Sequence, residues 1–340
     1  KVEVTDMLPI IGLMSGTSID GIDASFVFTD GKTLHRTNLN SFTPYKKDTV
    51  NLIKKILKDP KKEIQNLKLI NDLSLQITME HGLASKQLMN KLKVKPKLIG
   101  FHGQTVFHDP SNRKSIQLGD PYLLSKMLKT KVVCQFRKAD LINDGQGAPI
   151  APIYHKAIIK NLNVDLPAVI INIGGISNLT YFNKSKLIGF DTGPGNNYMD
   201  FFMQKNFNTN YDNKGLYSRL GKPNHNLIGK FCDDIFFKQA PPKSLERSKL
   251  FENLIYKEIL LLNPLDCMAT LCLLTAETIR KSFELLPNNV KTTIIVGGGQ
   301  NNCFLIDQLK KILNCKVYCA KTLKLPGDFI EAELIAFLAA

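Results

Sequence analysis

The sequence predicts an α/β protein built from two domains, and three observations predict it. β-like apolar stretches alternate along the chain with helix-like segments; a strand, glycine-rich turn, strand unit occurs twice, about 160 residues apart; and 340 residues exceed the roughly 100–200 of one domain. An apolar fraction of 44% supports a large core, and no run approaches the roughly 18 apolar residues that a membrane-spanning helix needs.

Taken in order, LPIIGLM (Leu8 to Met14) reads as a strand, SGTSIDGID as the turn after it and ASFVFTD as the returning strand. Asp48 to Leu57 and Leu67 to Leu92 have helical spacing, with their lysines on the solvent face. LIGF at Leu98 to Phe101 is the next strand and Pro121 to Leu128 the next helix. GQGAPIAPIYH concentrates glycine and proline between Gly147 and Pro152, which places a boundary there: residues 1–150 form the first domain and 151–327 the second. The second domain opens with VIINIGGISNLTYFNKS, again strand, turn, strand, and KLIGF follows as a further strand. Asn224 to Phe237, Leu250 to Leu262, Thr270 to Leu286 and Phe304 to Leu313 read as helices, with TTIIVGGG a strand closed by a glycine turn. Residues 328–340, DFIEAELIAFLAA, have helical spacing and strong apolar character and are expected to pack back onto the body.

Lys plus Arg outnumber Asp plus Glu by 45 to 30, a net charge of +15. That balance invites a nucleic-acid reading, but the lysines are scattered over amphipathic segments instead of forming a patch, so a solvated surface is expected and a nucleic-acid partner is not. The seven cysteines are odd in number, lack any CxxC pair and lie mostly in apolar surroundings, which predicts reduced, buried thiols. The six histidines show no paired-ligand spacing, so no structural zinc is expected. Glu3 and Asp6 precede only a short apolar run, unlike a secretory signal, and the cytoplasm is the expected compartment. The start at Lys1 in place of methionine predicts that a few leading residues are trimmed.

Of 22 glycines, 16 fall in seven short patches, which predicts loops approached by a ligand. In Ser15 to Asp23 the small and hydroxylated residues precede Asp20 and Asp23, without a Walker pattern. This is either a phosphate-binding hairpin with carboxylates available to Mg2+ or its waters, or plain turn chemistry. Asp191 ends an apolar strand and is followed by Gly193, Pro194, Gly195 and Asn196; a rigidly held carboxylate there suits a general base, and a helix cap is the alternative. GFHGQT sets His102 and Gln104 around Gly103 after a strand, and QLGDP supplies another polar turn; both could line a polar pocket, or His102 could be a satisfied structural group. VGGGQNN is either a turn against which an adenine or ribose lies or an ordinary strand-to-helix turn.

GLMSGTSIDGID, GFHGQT, GQGAPIAPIYH, NIGGISN, GFDTGPGN, PPKS and VGGGQNN, in this order from Ile11 to about Ala336, resemble the anhydro-N-acetylmuramic acid kinase family, within the acetate and sugar kinase, heat-shock-70 and actin superfamily. The resemblance implies a two-domain actin-like ATPase (ribonuclease H-like) fold with ATP and Mg2+ in an interdomain cleft. It implies that Gly16, Thr17, Ser18, Ile19, Asp20, Gly21, Ile22 and Asp23 form the nucleotide-phosphate loop, that Gly297, Gly298 and Gly299 lie near the nucleoside, and that Asp191 is the catalytic base. His102, Arg137 and Glu331 match sugar-side positions, Mg2+ comes with ATP and through water near Asp20, and a homodimer is expected. The chain departs from the family's pattern at FRKAD (Ala139), at Asp144 where the family has glycine, and at Leu245 to Ser248 after PPKS. A conventional sugar kinase acting on a free hydroxyl is the competing reading.

Overall fold

Alternate residues of β1 (Leu8–Ser15) face opposite sides of one sheet, as strand geometry requires, and each side finds its own apolar partner. Ile11 and Leu13 join Ala24, Phe26, Ile99 and Phe101 in a cluster closed by Leu88 of the helix Leu67–Met89 and by Leu124 and Leu128 of the helix Pro121–Leu128. Ile10 and Met14, on the other side, pack against Ala336, Ala332 and Ile335 of the helix Ile330–Leu338. The terminal segment therefore packs back as its apolar spacing predicts, apart from Asp328, which lies outside the described residues. The computed structural model describes residues 4–16, 18–245, 252–325, 327 and 329–340.

The chain divides into two compact units, Lys1–Ile150 with Phe329–Ala340, and Ala151–Asp328. In the first, the sheet order is β3 (Leu34–Pro44), β2 (Gly21–Thr29), β1, β4 (Leu98–Asp109), β5 (Lys114–Leu118), and the short β6 (Lys131–Val133) runs parallel to the start of β4. In the second, the order is β11 (Lys316–Cys319), β10 (Thr292–Val296), β7 (Ala168–Ile173), β8 (Ile176–Asn183), β9 (Lys186–Pro194). Each unit is an antiparallel three-strand meander whose first strand pairs in parallel with a later one, β1 with β4 and β7 with β10. The two hairpins read from sequence are thus equivalent parts of one repeated topology, and the α/β class is the observed one.

The second unit's core gathers Val169, Ile171, Ile173, Leu179, Tyr181 and Phe190 against the helices Asn197–Phe207 and Pro264–Phe283. That second helix starts six residues before the predicted Thr270, because Asn263 caps it by accepting the Asp266 N–H at 3.0 Å and Pro264 is preorganised for the first turn. Asn224 to Phe237 is two helices, His225–Cys232 and Ile235–Lys238, since Asp234 accepts the Phe236 N–H at 2.8 Å and starts a new one. Of the predicted helix from Leu250, residues 250 and 251 lie outside the described residues and Leu254–Ile259 is helical. The cysteines are free thiols, but against the expected burial only Cys232, Cys267 and Cys272 are buried and Cys303 is exposed; burial pushes Cys267 and Cys272 up to about 12 and holds them inert.

Two of the clustered glycines have a packing cause instead of a ligand. Gly12 and Gly100 are paired neighbours on β1 and β4. A Cβ at Gly100 would lie 2.6 Å from the Ile335 carbonyl oxygen, and one at Gly12 would overlap the Ala332 carbonyl, so these glycines let the terminal helix lie directly on sheet backbone.

Candidate active site

In the first unit, the turn joining β1 to β2 is fastened from below. Ser15 is buried and its Oγ donates to the Gly103 carbonyl at 3.2 Å, while Gln104 Nε2 donates to the Gly16 carbonyl at 3.2 Å. Within the turn, the Ile19 N–H donates to the Gly16 carbonyl at 3.3 Å, Ser18 Oγ donates to Asp20 Oδ1 at 2.6 Å, and the Asp20 carbonyl accepts the Tyr45 N–H at 3.1 Å. Ile19, at φ 60°, and Ile22 turn their side chains into an apolar cluster, so only their backbone faces outward chemistry. Gly21 presses against Thr43 and Phe42, whereas a Cβ on Gly16 would have Ser18 Oγ at 3.8 Å and Glu331 Oε2 at 3.9 Å as its nearest neighbours. Asp23 is half-buried opposite Met14, and Thr17 lies outside the described residues.

His102 is inside β4, where sequence reading placed a turn after the strand. The reason is Gly103: at φ 73° it makes a bulge that lets the strand continue, and a Cβ there would lie 2.5 Å from the Leu118 carbonyl oxygen. Both ring nitrogens of His102 are engaged: Nδ1 lies 2.8 Å from the Gly103 carbonyl and Nε2 accepts from Arg137 Nε at 3.2 Å. Those partners fix the neutral Nδ1–H tautomer. Burial, and then the Arg137 charge, push its pKa down to about 3. Arg137 Nη1 also donates to the Gly147 carbonyl at 2.7 Å, and the Gly147 N–H donates to Asp140 Oδ2 at 2.6 Å. The Gly103, His102, Arg137, Gly147 chain thus orients a guanidinium. QLGDP has a plainer role, because Asp120 caps the following helix through the Tyr122 and Leu123 N–H groups at 2.9 and 3.0 Å. At the departures, Ala139 is exposed, and Asp144 stands at φ 64°, a left-handed position that glycine adopts without strain, while pairing with Arg113.

In the second unit, β9 runs past Asp191 to Pro194, so the carboxylate sits within the strand and caps no helix. The segment Lys243 to Leu245 lies alongside it: the Asp191 N–H donates to the Lys243 carbonyl at 3.1 Å and the Leu245 N–H donates to Asp191 Oδ2 at 2.8 Å. Asn178 is the cross-strand partner of Asp191, and its Oδ1 is buried without a partner among the described residues. Lys243 was not singled out by sequence reading, although it lies in the PPKS motif; it is buried, and burial pushes its pKa down to about 8 against the raising effect of the Asp191 charge. Of the Leu245 to Ser248 departure, residues 246–248 lie outside the described residues.

Three glycine loops converge at the ends of β7, β9 and β10. The Gly195 and Asn197 N–H groups donate to the Gly175 carbonyl at 3.0 and 3.1 Å, and the Asn196 N–H donates to the Gly174 carbonyl at 2.7 Å. Gly297, at φ 79°, and Gly299 abut Asn172 and Ile173, and a Cβ on Gly298 would have Asn196 Nδ2 at 3.6 Å. Backbone exposed where parallel strands end is a familiar place for a bound nucleoside. No group of three His, Cys, Asp or Glu residues among those described could hold a metal. No helix among the described residues is long and apolar enough to cross a membrane.

The family model described as "Anhydro-N-acetylmuramic acid kinase" matches residues 8–340. Two relatives of that name are similar over nearly the whole chain: one from Bradyrhizobium diazoefficiens is 34% identical, covering 98% of this chain and 92% of its own, and one from Pelagibacter ubique is 36% identical, covering 97% and 90%. Among solved structures, component A of the Acidaminococcus fermentans (R)-2-hydroxyglutaryl-CoA dehydratase shares the fold at a TM-score of 0.50 and 11% identity, covering 98% of this chain and 97% of its own.

Proposed function

We propose that this chain, which belongs to the anhydro-N-acetylmuramic acid kinase family, is an ATP-dependent kinase that opens the 1,6-anhydro bond of 1,6-anhydro-N-acetylmuramic acid and phosphorylates O6, giving N-acetylmuramic acid 6-phosphate and ADP in peptidoglycan recycling. The observation that carries the reading is the match to the family along residues 8–340.

Asp191 is the base. Held at Oδ2 by the Leu245 N–H, its carboxylate takes a proton from the water that attacks C1. The C1–O6 bond breaks as the C1–O(water) bond forms, O6 bonds to the γ-phosphorus, and the bond from that phosphorus to the β,γ-bridging oxygen breaks to release ADP. A glycosidase of inverting type needs a second carboxylic acid to protonate the leaving oxygen; here the phosphoryl group accepts that oxygen, and one carboxylate suffices. The turn from Gly16 to Asp23 receives the nucleotide phosphates, with no atom nearer than 3.8 Å to a Cβ built on Gly16 and with its backbone held by Ser15 and Gln104. Asp20 would help hold, through water, the Mg2+ that comes with ATP, which would supply charge neutralisation at the phosphates. Gly297 to Gly299 take the nucleoside, and Arg137, His102 and Glu331 serve the sugar side, Arg137 as the cation for its carboxylate. The protein works in the cytoplasm as a homodimer, which light scattering on the purified protein tests.

The deciding experiment offers ATP and Mg2+ with either the anhydro sugar or free N-acetylmuramic acid and identifies the product by mass spectrometry. Phosphorylation of the anhydro sugar with gain of one water supports the reading. Phosphorylation of the free sugar alone would replace it with a conventional sugar kinase.

A further inference from the structure

We propose that Lys243 is the positioning residue for Asp191, its buried ammonium pinning the segment whose backbone aims the carboxylate. The inference rests on the reading of Asp191 as the base and adds a residue to it.

Lys243 is 4% exposed. Its Nζ donates to the Phe236 carbonyl at 2.7 Å and lies 4.4 Å from the centroid of the Phe236 ring and 5.5 Å from that of Phe190. An ammonium brought this far out of water is costly, and one carbonyl with two ring faces offsets only part of that cost. An apolar side chain of similar length would fill the space more cheaply, so packing alone does not account for the cation. What it does account for is the path of the chain. Phe190 immediately precedes Asp191, so the ammonium ties residue 243 to β9 at the very place where the Asp191 N–H meets the Lys243 carbonyl at 3.1 Å and the Leu245 N–H meets Oδ2 at 2.8 Å. Two residues of backbone separate the pin from the N–H that orients the base. The Asp191 charge also acts on the ammonium, and by reciprocity the ammonium favours the ionised carboxylate that a base must present. With its pKa held down to about 8 by burial, Lys243 loses that charge just above neutrality.

The test uses Lys243→Met, Lys243→Arg and Asp191→Asn in the full-length protein, with ATP, Mg2+ and the anhydro sugar. Lys243→Met is expected to lower kcat roughly tenfold to a hundredfold, the cost of a misaligned catalytic group, with the KM for both substrates and the thermal midpoint near wild type. Wild-type kcat is expected to fall as pH rises through about 8, while Lys243→Arg, charged throughout, extends the plateau beyond it. A Lys243→Met kcat within about threefold of wild type overturns the proposal, as does a Lys243→Arg profile that declines where wild type does; the second variant decides if the first does not fold. Asp191→Asn separates the two layers of argument. If it keeps its turnover, the base assignment fails; if it is inactive while Lys243→Met is normal, only the role of Lys243 fails.

Discussion

Glycine means different things at Gly16 and at Gly103, and the contrast yields a prediction at the scale of one residue. Gly103 is required by the fold, through its φ of 73° and the Leu118 carbonyl beside it. Gly16 is not: a Cβ there would make only ordinary contacts at 3.8 and 3.9 Å. Gly16→Ala is therefore expected to leave the unfolding free energy unchanged within about 0.5 kcal/mol, the scatter of neutral sites, while weakening ATP binding severalfold by intruding on the phosphate space. Calorimetric titration beside a denaturant melt checks this, and an unchanged ATP Kd would remove Gly16 from the phosphate loop. The place of Asp191 on an apolar strand ahead of a Gly-Pro-Gly turn was legible in the sequence, because the apolar run and the turn are both local signals. Lys243 was hidden because its burial between Phe236 and Phe190 arises only when the chain folds back onto β9, and no local pattern distinguishes it from the other lysines.

At the scale of an element, the helix Ile330–Leu338 can sit on its sheet only because Gly12 and Gly100 present bare backbone to it. Gly100→Ala inserts a methyl group 2.6 Å from the Ile335 carbonyl oxygen and is expected to destabilise the protein by about 1–3 kcal/mol, the range for overpacked cores. Urea unfolding measures it, and a neutral result would mean that the helix shifts freely. Strands that are short continuous apolar runs buried on both faces, such as β1 and β7, were legible, as was the terminal helix. β3 was not: LHRTNLNSFTP is an edge strand with no fully buried residue, so hydrophobic burial left no mark on its sequence. β6 and β11 are three and four residues long, too short to carry a period. Gly12 and Gly100 misled in the opposite direction, since glycine patches mark close approach whether the visitor is a ligand or a helix.

For the whole molecule, three buried imidazoles set the pH range of stability. Burial holds His102 and His155 down at about 3 and His81 at about 4, against an ordinary 6.5. The folded protein keeps all three neutral while the unfolded chain takes up protons below 6.5, so their contribution is complete above that pH. It is lost toward the folded values, at about 1.4 kcal/mol per pH unit for each ring. Thermal midpoints should therefore fall steadily from pH 6.5 to 4.5, and a flat profile would contradict neutral burial. The reaction as a whole carries the sharper consequence. The anhydro bridge fixes O6 on the β face of C1, so water activated by one carboxylate has to approach from the opposite face, and the first product is the α-anomer. In ¹⁸O-water the label should appear on C1, while O6 keeps its original oxygen and becomes the phosphate ester, since C1–O6 is the bond that breaks. Proton NMR recorded before mutarotation reads the anomer, and the mass of the phosphorylated fragment reads the label. An initial β-anomer would point to a covalent or stepwise route through C1. ¹⁸O in the ester bridge would place the attack of water on C6 instead, and either result would deny Asp191 the part of single inverting base.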